Sequence, residues 1–97
     1  MCNIDIQSPE FVKCLEQGEQ EAFQRLFETF HKALCFFAAR IVRDHLEAED
    51  IVQDVFLSFW KMDRGGFPNL KTIKTFLYNS VQHRCLNYLR DLEIRDR

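Results

Sequence analysis

Glycine and proline are scarce in this chain, three and two among 97 residues. An all-β sandwich or barrel needs frequent turns, and these are the residues that make turns. Their scarcity excludes such folds and favours a few long helices. No apolar run approaches the ~20 residues that cross a bilayer, and no signal-peptide core is present. No membrane insertion is expected, and the expected location is cytoplasmic. The four cysteines, Cys2, Cys14, Cys35 and Cys85, include no closely spaced pair. That excludes zinc-ribbon spacing. A disulfide framework would need an oxidising compartment. Reduced and mostly buried thiols are expected instead.

The recurring marks of catalysis are also missing. There is no glycine-rich phosphate loop, and no serine or cysteine stands in a recognisable activating context. Glu28 and His31 have the helical spacing of a di-iron ligand pair, but no second such pair exists. His31 and Cys35 lie one helical turn apart, which supplies two metal ligands at most. The expectation is a binding module, not an enzyme, with no metal or cofactor.

What the chain does have is a high content of apolar residues, 46%, ten of them Phe. That is enough to exclude disorder and to build one aromatic-rich core within one domain, residues 1–97. Its charge is polarised. Residues 1–63 carry six Lys/Arg against twelve Asp/Glu, and residues 64–97 carry seven against three. One end can meet a basic partner and the other an acidic one.

Apolar periodicity predicts a compact all-α bundle of about four helices. Ser8-Pro9-Glu10 has the chemistry of a helix start, and Phe11, Val12 and Leu15 give a short helix that Gly18 ends. A second helix is predicted from about Glu19 to Arg43, with Ala22, Phe23, Leu26, Phe27, Phe30, Leu34, Phe37, Ala38 and Ile41 inward. Asp44-His45 breaks it. A third spans about Leu46 to Met62, burying Ala48, Ile51, Val52, Val55, Phe56 and Phe59. After the loop Arg64-Gly65-Gly66-Phe67-Pro68-Asn69, a fourth runs from Leu70 to about Glu93. Ile73, Leu77, Val81, Cys85, Tyr88 and Leu92 form its stripe, widened by Phe76, Leu86 and Leu89. Phe23, Phe27, Val52, Val55, Phe56, Phe59 and Leu77 are the expected core. The sequence ends without a helix stop, as a fragment of a longer chain would.

Two stretches carry functional chemistry. On the third helix Asp50, Gln53, Asp54, Leu57 and Lys61 fall opposite the apolar face, with Glu49 flanking. Like charges four residues apart weaken a helix slightly. The face is either simply solvated or a docking surface for an arginine-rich partner. The second stretch is the Gly-Gly loop and the helix after it. Arg64, Lys71, Lys74, Arg84 and Arg90 can neutralise phosphates; the aromatics Phe67, Tyr78 and Tyr88, the last expected in the core, and the amides of Asn69, Asn79 and Asn87 can hold an unstacked base.

Leu15-x-x-Gly18-x-x-x-Ala22-Phe23-x-x-Leu26-Phe27-x-x-Phe30 and Ala48-Glu49-Asp50-Ile51-Val52-Gln53-Asp54-Val55-Phe56-Leu57-x-x-Trp60 resemble region 2 of bacterial extracytoplasmic-function (ECF) sigma factors. The likeness extends through Phe76-Leu77-Tyr78 and Leu86-Asn87-Tyr88-Leu89-Arg90. It implies that the third helix docks on the beta-prime clamp helices of core RNA polymerase through Asp50, Gln53, Asp54 and Leu57. It implies that the loop and fourth helix recognise and help melt the minus-ten promoter element, using Arg64, Phe67, Asn69, Lys71, Lys74, Tyr78, Asn79, Arg84, Asn87 and Arg90. Promoter DNA and an anti-sigma factor are the further partners implied. The chain departs from the family at Val81-Gln82-His83, where a small residue, a base and Asn are common, and at Phe76, where Trp is usual. The helix-turn-helix that reads the minus-thirty-five element has no counterpart in these residues. The alternative is a helical protein-interaction domain that uses its acidic helix on another basic partner, without DNA.

Overall fold

Each predicted apolar stripe forms a helix in the computed structural model, which describes residues 5–62 and 65–96. In chain order these are α1 (Phe11–Glu16), α2 (Gln20–Val42), α3 (His45–Lys61) and α4 (Leu70–Arg95). Among the described residues there is no strand. The chain is therefore all-α, with α2 packed against α1, α3 and α4, and α3 packed against α4.

The helix ends follow from local chemistry. Gly18 takes φ +81°, its N–H bonds the Leu15 carbonyl at 3.0 Å, and the Glu19 N–H reaches back to Cys14 at 3.1 Å. That pair of bonds is a Schellman closure, and it needs the left-handed conformation that glycine adopts without strain. At the other end of α1, Ser8 does not cap the helix directly. Its hydroxyl accepts from the Glu10 N–H at 3.2 Å in a preceding turn, so α1 begins three residues later than Ser8. Between α2 and α3, Arg43 turns left-handed at φ +58°. Asp44 then caps α3, its carboxylate accepting from Leu46 and Glu47 N–H groups at 3.0 and 3.2 Å. Asn69 caps α4 the same way, accepting from the Thr72 N–H at 2.9 Å.

The core joins Phe11, Cys14 and Leu15 of α1 to Leu26, Leu34 and Ala38 of α2, Val52, Val55, Phe56 and Phe59 of α3, and Ile73, Leu77, Val81 and Cys85 of α4. No polar or charged residue among those described is buried. Apolar burial therefore holds the bundle together, at roughly 1.5–3 kcal/mol for each large side chain taken out of water.

The buried positions on α2 and α4 step strictly by four: Ala22, Leu26, then Leu34, Ala38, Val42, and Ile73, Leu77, Val81, Cys85. A four-residue step overshoots a full turn by about 40°, so each stripe winds around its helix. This corrects two expectations. Phe23 and Phe27 are half-buried on the flank of α2 facing α3, where they pack edge-on against Phe56 at 6.2 and 4.9 Å between ring centroids. Leu86, expected to widen the buried face of α4, is 53% exposed, and beyond Cys85 no residue of α4 is fully buried.

Candidate functional site

On α3 the core takes Ala48, Ile51, Val52, Val55, Phe56 and Phe59, which leaves Asp50, Gln53, Asp54 and Leu57 on the opposite side. All four are exposed. Leu57 is 53% exposed although apolar, and Leu46, one turn before Asp50, is 77% exposed. The face thus combines carboxylates, one amide and two leucines set out in water. Leu46 was not singled out from the sequence, because the first residues of a predicted helix have no reliable phase. Trp60, beside this face, packs on Phe23 of α2 with ring centroids 4.6 Å apart.

The second set of residues does not form one surface. Arg64 lies outside the described residues. Phe67 is half-buried, its ring 5.9 Å from Phe59 and 5.4 Å from Phe76, so the loop after Gly66 is pinned to the core. The side-chain oxygen of Asn69 serves as the α4 cap and also accepts from the Thr72 hydroxyl at 2.9 Å. Gly66 has φ +95° with open space around it, a conformation rather than a close approach calling for glycine.

Along α4 the winding stripe separates the rest. Lys71 and Lys74 are exposed, and Tyr78, one turn beyond Lys74, sits on the flank facing α2 with its ring 5.1 Å from Phe37. Asn79 is exposed beside it. Arg84 turns to the opposite flank, where its guanidinium donates to the Ser58 hydroxyl of α3 at 3.0 Å. Asn87 is half-buried, and Arg90 is exposed with only a 4.0 Å contact to Asp91.

The sulfur and histidine chemistry goes elsewhere. Cys35 Sγ lies 3.5 Å from His31 Nε2, and His31 stacks on Phe27 with centroids 4.3 Å apart. Burial, with the nearby Glu49 carboxylate adding to it, pushes the Cys35 thiol up; burial alone pushes up Cys85. Raised thiols stay protonated and unreactive. Cys35 and Cys85 are free thiols, and Cys2 lies outside the described residues. No group of three or more metal-binding side chains occurs among the described residues.

Among the described residues, four helices and no strand set an acidic outward face on α3 beside the basic, aromatic α4. Residues 26–94 match the family Sigma-70 region 2. The chain belongs to that family, whose members are non-enzymatic transcription initiation factors. Among curated proteins it is similar to the "ECF RNA polymerase sigma factor SigX" of Bacillus subtilis (strain 168), 28% identical over 71 residues. That alignment covers 73% of this chain and 36% of the relative, so the chain spans about a third of that protein's length. No solved structure matches it. No helix among the described residues is long and apolar enough to cross a membrane.

Proposed function

We propose that this domain acts as the region 2 of an ECF-type sigma factor, docking on core RNA polymerase and helping to recognise and open the minus-ten promoter element in the cytoplasm. The observation that carries the reading is the outward placement of Asp50, Gln53, Asp54 and Leu57 on one exposed face of α3. Carboxylates there suit the arginines of a clamp-helix partner, where charge-assisted bonds exceed neutral ones in strength. Leu46 and Leu57 add apolar area that docking would remove from water.

DNA is assigned to the loop and to the α2-facing side of α4, through Lys71, Lys74, Tyr78 and Asn79, with Asn87 and Arg90 further along. Arg64 belongs to the same proposal by sequence alone. Phe67 and Asn69 set the loop geometry through the aromatic trio and the helix cap, and present only their exposed edges to a strand. Arg84 contributes from the opposite flank. An anti-sigma protein would act by covering either face.

The test is a pull-down of core RNA polymerase with this protein, followed by promoter opening with holoenzyme rebuilt from it. Retention of polymerase and opening that depends on Lys71 and Lys74 are expected. Failure to retain polymerase, with the helical fold intact, favours the interaction-domain alternative.

A further inference from the structure

The flank of α2 that faces α3 carries two metal-binding side chains side by side. His31 and Cys35 are four residues apart, about one helical turn, so their side chains meet on the same face. Cys35 Sγ lies 3.5 Å from His31 Nε2. The imidazole is fixed in orientation: it stacks on Phe27 with centroids 4.3 Å apart and lies 6.5 Å from the ring of Phe56 on α3. Both residues are half-buried, so the pair keeps an edge open to water. The Glu49 carboxylate of α3 is near enough to act on the Cys35 thiol, and negative charge there favours a cation. Glu28 is turned away. It accepts from the Gln24 amide at 3.1 Å and lines a groove with Glu21 and Arg25. Lys32 lies on the other flank, in the groove with Phe37 and Tyr78.

We propose that His31 and Cys35 together chelate a zinc-class divalent ion through Nε2 and Sγ, as an exchangeable two-ligand site on α2. Metal–sulfur bonds of about 2.3 Å and metal–nitrogen bonds of about 2.0 Å, at a tetrahedral angle, set the two donors roughly 3.5 Å apart. The pair already stands at that separation. Zinc suits the donors, since thiolate sulfur and imidazole nitrogen are the ligands it takes most readily. Two side chains are fewer than a structural zinc site uses, so water fills the remaining positions and the ion exchanges. Binding exchanges a proton for the metal. The S–H proton leaves to solvent, metal–sulfur and metal–nitrogen bonds form, two metal-bound waters depart, and no electron moves. A bound ion deprotonates a coordinating thiol outright, so a thiol that burial keeps inert can still become a ligand. The Phe27 stack holds the ring in place beforehand, which leaves less rotamer freedom to lose on binding. Residue spacing alone does not set this pair apart from ordinary helix residues; the 3.5 Å approach and the oriented ring are what folding adds. The site is independent of the proposed docking and DNA surfaces.

The experiment titrates cobalt(II), a spectroscopic stand-in for zinc, into the reduced protein at neutral pH in a non-chelating buffer. A sulfur-to-cobalt charge-transfer band in the near-ultraviolet is expected, and added zinc should bleach it. Cys35→Ala is expected to abolish the band. His31→Phe keeps a ring on Phe27 while removing the nitrogen. It should weaken binding at least about tenfold, since even the loss of an outer partner of a metal ligand commonly costs that much. Thermal melts control for folding, and zinc should raise the melting temperature of the unmodified protein and of neither variant. A second readout needs no variant: zinc should slow the labelling of Cys35 by iodoacetamide in the unmodified protein, read by peptide mapping. Absence of the band, a band that zinc does not bleach, or a band that survives Cys35→Ala overturns the proposal. Unchanged affinity in a folded His31→Phe, or labelling of Cys35 that ignores zinc, overturns it equally.

Discussion

The guanidinium of Arg84 on α4 donates to the hydroxyl of Ser58 on α3 at 3.0 Å, next to Leu57 on the outward face of α3. A residue that sequence pattern assigns to DNA thus spends its directional bonding on the neighbouring helix. Both partners are exposed, so the bond contributes no more than about 0.5–1.5 kcal/mol. Ser58→Ala should lower stability by less than that, and Arg84→Ala should reduce the salt dependence of single-strand binding less than Lys71→Ala does. Equal effects of the two basic substitutions would show that the Ser58 bond does not hold Arg84 back from phosphate.

Asp54→Arg puts a cation where the proposed partner presents arginines. Like charges brought together at an interface cost several kcal/mol. Polymerase retention should fall at least tenfold, and Gln53→Ala should weaken it more mildly. Because both residues are exposed, the melting temperature should hold. Unchanged retention by Asp54→Arg would remove the docking assignment.

Phe56 is 2% exposed and packs with Phe23 and Phe27 across the α2–α3 seam. Truncating a buried Phe to Ala typically costs about 3–5 kcal/mol. Against a total stability on the order of 5–15 kcal/mol, Phe56→Ala should lower the melting temperature sharply or unfold the domain. Calorimetry or circular dichroism reads this directly. Phe36→Ala, at an exposed ring, should leave the transition in place.

Arg43 holds the left-handed conformation that ends α2, at φ +58°. A non-glycine residue pays roughly 1–2 kcal/mol for that conformation, offset partly by the entropy that glycine loses on folding. Arg43→Gly should therefore raise stability by up to about 1 kcal/mol in denaturant titrations. A β-branched Arg43→Val should lower it.

Cys35 and Cys85 hold their protons to higher pH in the folded chain than in the unfolded one, chiefly because burial penalises the thiolate. Their contribution to stability is complete below the unfolded thiol pKa and is lost as pH rises through the folded value. Melting temperature should fall in the alkaline range, less steeply in a Cys35→Ala/Cys85→Ala variant once its lower starting stability is subtracted. Iodoacetamide at neutral pH should label both thiols more slowly in the folded chain than in urea.

Much of this architecture was legible from periodicity, and its gaps have a geometric origin. Four apolar stripes predicted four helices, and the α3 stripe, repeated by threes and fours, correctly left Asp50, Gln53, Asp54 and Leu57 outward. On α2 and α4 the four-residue stepping winds the stripe, so a straight face overcounts. Phe23, Phe27 and Leu86 were each assigned inward and lie at the flank or outside. Lys32, Phe36 and Arg40, which line a groove together with Tyr78, could not stand out, because they become its neighbours only when α4 lies along α2. Arg84 was grouped with the lysines by composition, whereas the winding carries it to the far flank.

The sorting of charge gives the molecule a sense of direction in solution. An evenly mixed protein of net charge −2 would drift away from DNA in any pose. On the proposed function, the carboxylates of α3 and the cations of α4 would turn the domain as it nears a polyanion, before anything touches. Fewer encounters arrive wrongly oriented, and productive capture speeds up without a tighter final complex. Screening shortens the range of that torque to about 8 Å at physiological salt, so rotational guidance fades with added salt sooner than the contacts it leads to.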